Sequence, residues 1–95
     1  MNDYHVVHNP NESRFELEVE GQLAVLDYTI RGNTILFIHT GVPPAIEGRG
    51  IGTALVKTGL DYAHEHHYQV VPYCWFVSSF IERYPKYQDL LKDPG

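Results

Sequence analysis

Three glycines at alternate positions, Gly48, Gly50 and Gly52, separate two stretches of opposite periodicity. Before them, Thr34 to Thr40 (Thr-Ile-Leu-Phe-Ile-His-Thr) is the nearly continuous apolar run of a buried strand, and Pro43-Pro44 then takes the chain out of any ladder. After them, Ile51, Leu55, Val56, Leu60 and Ala63 recur at helical spacing, with Lys57, Asp61 and Glu65 on the other side. Glu47-Gly48-Arg49-Gly50-Ile51-Gly52-Thr53 is therefore a strand-to-helix turn with almost no side chain to obstruct its backbone. The first N–H groups of a helix have no partner within it, and its macrodipole places about half a positive charge at the same end. A turn of this kind suits an anion such as a phosphate, with Arg49 adding a full charge; taken alone it reads equally as one of the common glycine-rich turns that start a helix without binding anything.

The remaining pattern predicts a small α/β (α+β) domain. Residues 14–20 alternate apolar and charged, with Phe15, Leu17 and Val19 turned inward. Gly21-Gln22 links them to a second, more buried strand over Leu23–Ile30, and Arg31-Gly32-Asn33 turns into the run at Thr34, giving an antiparallel meander. The long helix is expected from about Gly50 to His66, a fourth strand at Val70-Val71-Pro72, and a second helix from Trp75 to about Tyr84, ending before Pro85. Lys86 onward is expected to add a helical turn and to fray at Asp93-Pro94-Gly95. No linker or repeat divides the 95 residues, so residues 1–95 are read as a single domain.

Composition narrows the ligand. A net charge of −5 with only seven Lys plus Arg argues against a nucleic-acid surface. No apolar run approaches a membrane span, and Met1 to His5 lacks the basic and apolar parts of a secretory signal, so a cytoplasmic location is expected. The single cysteine, Cys74, has no intrachain partner for a disulfide or a cysteine-based zinc site, and no metal is expected. His64 and His67 lie one helical turn apart, but no carboxylate or cysteine at ligand spacing completes a site, and they read as solvated histidines together with His66.

Two phosphate-binding patterns are excluded by spelling. Gly52 is followed by Thr53 and not by the Lys of a P-loop, and three strands precede the turn where a dinucleotide fold would have one. What remains is Q/R-x-x-G-x-G/A with Gly50 and Gly52 as its glycines. It resembles the coenzyme A motif of the GCN5-related N-acetyltransferases, and above all a minimal acetyltransferase-like branch of that superfamily. The pieces are His39-Thr40-Gly41-Val42-Pro43, Gly48 to Gly52, and Pro72-Tyr73-Cys74, in order along nearly the whole chain. The resemblance implies a mostly antiparallel sheet splayed into a V-shaped gap near Val42 and Pro72. It also implies acetyl-CoA as the cofactor, held by Val42, Gly48, Arg49, Gly50, Ile51, Gly52 and Thr53. The amides from Arg49 to Thr53 would cradle the diphosphate, and the backbone near Val42 would pair with the pantetheine arm. Glu47 departs from the Gln or Arg of many relatives.

The same resemblance bears on catalysis. The superfamily's Asn-x-x-Ala-x-x-x-Tyr, whose tyrosine returns a proton to the departing thiolate, falls here on Cys74, Val77 and Ile81, so the usual acid is missing. Tyr84, one turn further, substitutes only if the helix is rotated. Cys74 precedes a helix, where terminal amides lower a thiol pKa, and reads either as a group beside the acetyl, including a transient acetyl acceptor, or as a small buried hydrophobe. His39, ending the central strand, reads either as a general base or as a structural residue. Arg83 and Lys86 are candidates for the ribose phosphate or plain surface charge. The expected activity is acetyl transfer from acetyl-CoA to an amine of a small molecule or protein, by a monomer, without nucleic-acid or membrane partners. The alternative is a coenzyme A or acyl-CoA binding module with little turnover.

Overall fold

A two-residue turn sets the register of the sheet. Glu20 and Gly21 both adopt positive φ (53° and 76°), the pattern of a tight hairpin whose twist matches its strands, and Val19 therefore faces Gln22. The computed structural model describes residues 4–91. Its five strands are β1 (Val7–Asn9), β2 (Arg14–Val19), β3 (Gln22–Arg31), β4 (Thr34–Gly41) and β5 (Gln69–Pro72), arranged in that order across one sheet. The first four pair antiparallel, as the meander requires, and β5 returns parallel to β4 after helix α1 (Ile51–Glu65). Helix α2 (Trp75–Arg83) and a 3-10 segment (Pro85–Leu90) follow. The fraying expected at Asp93 to Gly95 lies outside the described residues.

Alternation puts Phe15, Leu17, Ala24, Leu26, Tyr28, Ile35, Phe37 and Val70 on one face of the sheet, buried under Ile51, Leu55, Val56, Leu60 and Ala63 of α1. Gly59 lets helix and sheet approach closely, since a Cβ there would lie 2.9 Å from Leu26 Cδ2 and 3.0 Å from Phe37 Cε1. Contact of this kind offsets the roughly 1 kcal/mol that a mid-helix glycine costs relative to alanine. Val77 and Ile81 of α2 complete the core.

Strand β1 was not expected from the sequence. Its three residues are too few to show alternation, and Pro10 ends it. What holds it is His8, which stands opposite Phe15 and stacks on its ring at 4.4 Å. The same imidazole meets Tyr62 edge-on at 4.6 Å and lies 2.5 Å from the Tyr28 hydroxyl. Burial, with a smaller contribution from nearby His66, lowers the His8 pKa below 6.5. The fold thus favours neutral His8, and the unfolded chain takes up the proton first as the pH falls. Stability from this residue is complete above about pH 6.5 and is lost below it. His8→Ala is expected to cost about 1–2 kcal/mol at pH 7.5. Urea titrations between pH 7.5 and 5 should also show a shallower acid-side decline for the variant; an unchanged slope would assign the effect to other groups.

The site depends on an irregularity in β4. Asp27 faces His39 and Tyr28 faces Phe37, so Ile38 is an extra residue in β4. Bulges of this type bend a strand and increase its twist. Strand β5 accompanies β4 only as far as the Phe37 and Pro72 pair, and the Cys74 N–H then donates to the Phe37 carbonyl at 3.0 Å. Beyond that point β4 runs on to Gly41 while the chain at Cys74 turns into α2. The two strands part there, near Val42 and Pro72, as expected.

Candidate functional site

The parted strands open into a cavity of about 620 Å³ lined by Thr40, Gly41, Val42, Glu47, Gly48, Gly50, Ile51, Gly52, Thr53 and Phe76. Its floor is the end of β4, its far wall is Phe76 of α2, and its rim is the glycine-rich turn. A 3-10 turn (Pro44–Ile46) precedes that rim and is pinned by Ile46, whose side chain is fully buried.

The three glycines serve different purposes. Gly48 and Gly50 have φ of 79° and 75°, in the left-handed region that residues with a Cβ avoid. Gly52 is needed for space, because a Cβ there would lie 3.0 Å from the Phe76 ring. Gly50 is the N-cap of α1 and no side chain caps it; the first bond of the ladder runs from the Ala54 N–H to the Gly50 carbonyl at 3.0 Å. The amides of Ile51, Gly52 and Thr53 therefore precede the ladder, and all three residues line the cavity. An anion in the cavity meets these donors and the positive end of the α1 dipole.

Arg49 has a partner that the sequence did not suggest. Its Nη1 lies 2.5 Å from Glu20 Oε2 in the β2–β3 turn, and the bond raises the Arg49 pKa and lowers that of Glu20. Its carbonyl accepts from the Tyr4 hydroxyl at 2.9 Å. Arg49 is not among the residues lining the cavity, whereas Glu47, the departure from the family pattern, is.

Cys74 is the N-cap of α2, and its Sγ lies 3.3 Å from Thr40 Oγ1, bridging the place where β4 and β5 separate. Burial pushes its pKa up, but the Thr40 hydroxyl, the Val77 and Phe76 amides and the Thr40 backbone outweigh burial, so the thiol lies below its ordinary value. His39 stands elsewhere, facing Asp27 across the strands, with Nδ1 3.4 Å from Asp27 Oδ2 and its side chain largely exposed. It is not a lining residue of the cavity. Because Ile38 is an extra residue, Thr40 and not His39 shares the face of Phe37, an inversion that the unbroken spelling of Thr34 to Thr40 conceals.

Ile81, at the position of the superfamily tyrosine, is core. Tyr84 stacks on Phe80 at 4.6 Å and lines a neighbouring groove of about 320 Å³ with Thr53, Trp75, Phe76, Ser79, Phe80 and Arg83. Thr53 and Phe76 line both spaces, so the groove continues the cavity along α2. Lys86 sits 5.0 Å from the Tyr87 ring and, with Lys57, borders a further recess that shares Thr53. His66 packs against Tyr62 at 4.2 Å, and His64 borders a separate recess with Asp61 and Asp89. Among the described residues, no group of three His, Cys, Asp or Glu side chains is placed to hold a metal ion, and no helix is long and apolar enough to cross a membrane.

A family model described as GCN5-related N-acetyl-transferase matches residues 14–90, a span that holds the sheet from β2 onward, the glycine turn and both helices. The chain belongs to the GCN5-related N-acetyltransferase family. Protein NATD1 of Bos taurus is 34% identical over 83 residues, covering 84% of this chain and 74% of that protein. The Homo sapiens counterpart is 33% identical over the same length and shares. In three dimensions the chain resembles the solution structure of a GCN5-like putative N-acetyltransferase from Staphylococcus aureus, with a TM-score of 0.73 and 26% identity, covering 100% of this chain and 94% of that one.

Proposed function

We propose that this protein is an acetyl-CoA-dependent N-acetyltransferase that moves an acetyl group to an amine. The observation that carries the reading is the set of amides at Ile51, Gly52 and Thr53, uncapped by any side chain and facing a cavity that opens between two parting strands. A diphosphate fits those donors, and the end of β4 around Val42 offers free strand edge to the amide groups of a pantetheine arm. The groove holding Trp75, Arg83 and Tyr84 continues from the same rim and supplies aromatic faces and a cation for the adenosine end. Acetyl-CoA brings an activated thioester to the site; the chain's part is to orient it, limit water and manage the proton and sulfur chemistry. Cys74 is the group suited to that work, because its thiol is acidified at the apex of the gap. The acceptor is an amine of a small molecule or a protein, and the enzyme acts as a cytoplasmic monomer without nucleic-acid or membrane partners.

A second reading, coenzyme A binding with little turnover, draws on one observation: Ile81 is buried where the superfamily's proton donor stands. Titration with coenzyme A followed by amide NMR tests what both readings share, and the signals of residues 50–53 should shift most. Unmoved signals at millimolar coenzyme A overturn both. An acetylation assay over a panel of amines then separates transfer from binding.

A further inference from the structure

Tyr4 reaches across 45 residues of sequence to donate its hydroxyl proton to the Arg49 carbonyl at 2.9 Å. That carbonyl and the Gly50 N–H belong to one planar trans peptide, so the two point in opposite directions. Gly50 lines the cavity and Arg49 does not. With the carbonyl held by Tyr4, the Gly50 N–H points the opposite way, away from the Tyr4 hydroxyl.

The backbone freedom of Gly50 does not by itself fix this orientation. Gly50 stands at φ of 75°, and a glycine accepts the opposite sign of φ at little cost. The Arg49–Gly50 peptide is therefore open to a flip that would aim a carbonyl, and not an N–H, at an incoming anion. From this geometry we infer that Tyr4 is a positioning residue for the diphosphate cradle, setting the Arg49–Gly50 peptide in its donor orientation before the ligand arrives. The short strand β1, held to β2 through His8 and Phe15, then has a second consequence, because it is what brings Tyr4 to the turn. The Glu20 carboxylate holds the Arg49 side chain from the hairpin side, so residue 49 is gripped at both ends by elements outside the cavity.

The inference rests on the coenzyme A reading and deepens it. Its test is Tyr4→Phe in the full chain, which keeps the ring and removes one hydrogen bond. Coenzyme A and pantetheine, which lacks the diphosphate, are titrated against wild type and variant by NMR. An ordinary hydrogen bond biases a two-state equilibrium by about 3- to 10-fold, so coenzyme A affinity should fall by about that factor. Pantetheine affinity should stay within about twofold, and the Gly50 amide signal of the free variant should shift or broaden. Equal coenzyme A affinity in the two proteins, or equal losses for both ligands, overturns the role of Tyr4 while leaving the coenzyme reading in place. A wild type that does not respond to coenzyme A overturns that reading, and this inference with it.

Discussion

Gly50→Val is expected to lower coenzyme A affinity by about 10- to 100-fold, while Gly32→Val leaves it unchanged although both substitutions strain the backbone alike. The two glycines have similar φ, 75° and 60°, and neither has an atom within 4 Å of the place a Cβ would take. A β-branched residue held in the left-handed region costs about 1–3 kcal/mol at either position, so the two variants should lose comparable stability in urea. They differ in what surrounds them. Gly32 lies in the β3–β4 turn, whereas Gly50 lines the cavity and caps α1. At position 50 the strain is relieved by moving φ to negative values, which turns the start of α1 and spreads its amides. Binding must then restore the strained turn and also accommodate two methyl groups among the donors. Isothermal titration of both variants checks this. Equal losses of affinity at the two positions would mean that general destabilisation, and not the turn, governs binding.

Much of the fold was legible because its signals are local and repeated. Alternation over residues 14–20 and helical spacing from Ile51 to Ala63 each involve several side chains that agree. The glycine turn was legible because it falls between a strand pattern and a helix pattern and stands in order with His39-Thr40-Gly41-Val42-Pro43 and Pro72-Tyr73-Cys74. Strand β1 was not, because three residues cannot display a period and its attachment is a tertiary event, an imidazole placed between Phe15 and Tyr62. The β4 bulge was also hidden: Ile38 is as apolar as a strand residue should be, yet 49% of it is exposed. That single insertion sets Thr40 opposite Leu26 on the core face and His39 opposite Asp27 on the other, the reverse of what unbroken alternation from Phe37 predicts. The Tyr4 and Glu20 contacts to Arg49 span 45 and 29 residues, and no spacing rule relates them.

The largest catalytic effect is expected at Cys74. Cys74→Ala should reduce kcat for acetyl transfer by about 100-fold or more, the usual scale for removing a residue that handles protons or attacks in the transition state. Coenzyme A affinity should stay within about twofold, because Cys74 lies at the apex of the gap and not among the cavity's lining residues. Cys74→Ser separates two accounts of the same loss. A serine hydroxyl retains a polar contact to Thr40 but does not ionise near neutral pH, so a site that uses the thiol's acidity should lose as much with serine as with alanine. The pH profile supplies an independent check. Burial acts to raise the Cys74 pKa, and the Thr40 hydroxyl is the largest influence lowering it. Removing that hydroxyl in Thr40→Val should move the midpoint for Cys74 alkylation to higher pH, and the rising limb of kcat/KM should move with it. Activity that persists in Cys74→Ala, or a kcat/KM profile that ignores Thr40→Val while alkylation follows it, would show that the thiol is a structural cap of α2 and that proton handling lies elsewhere.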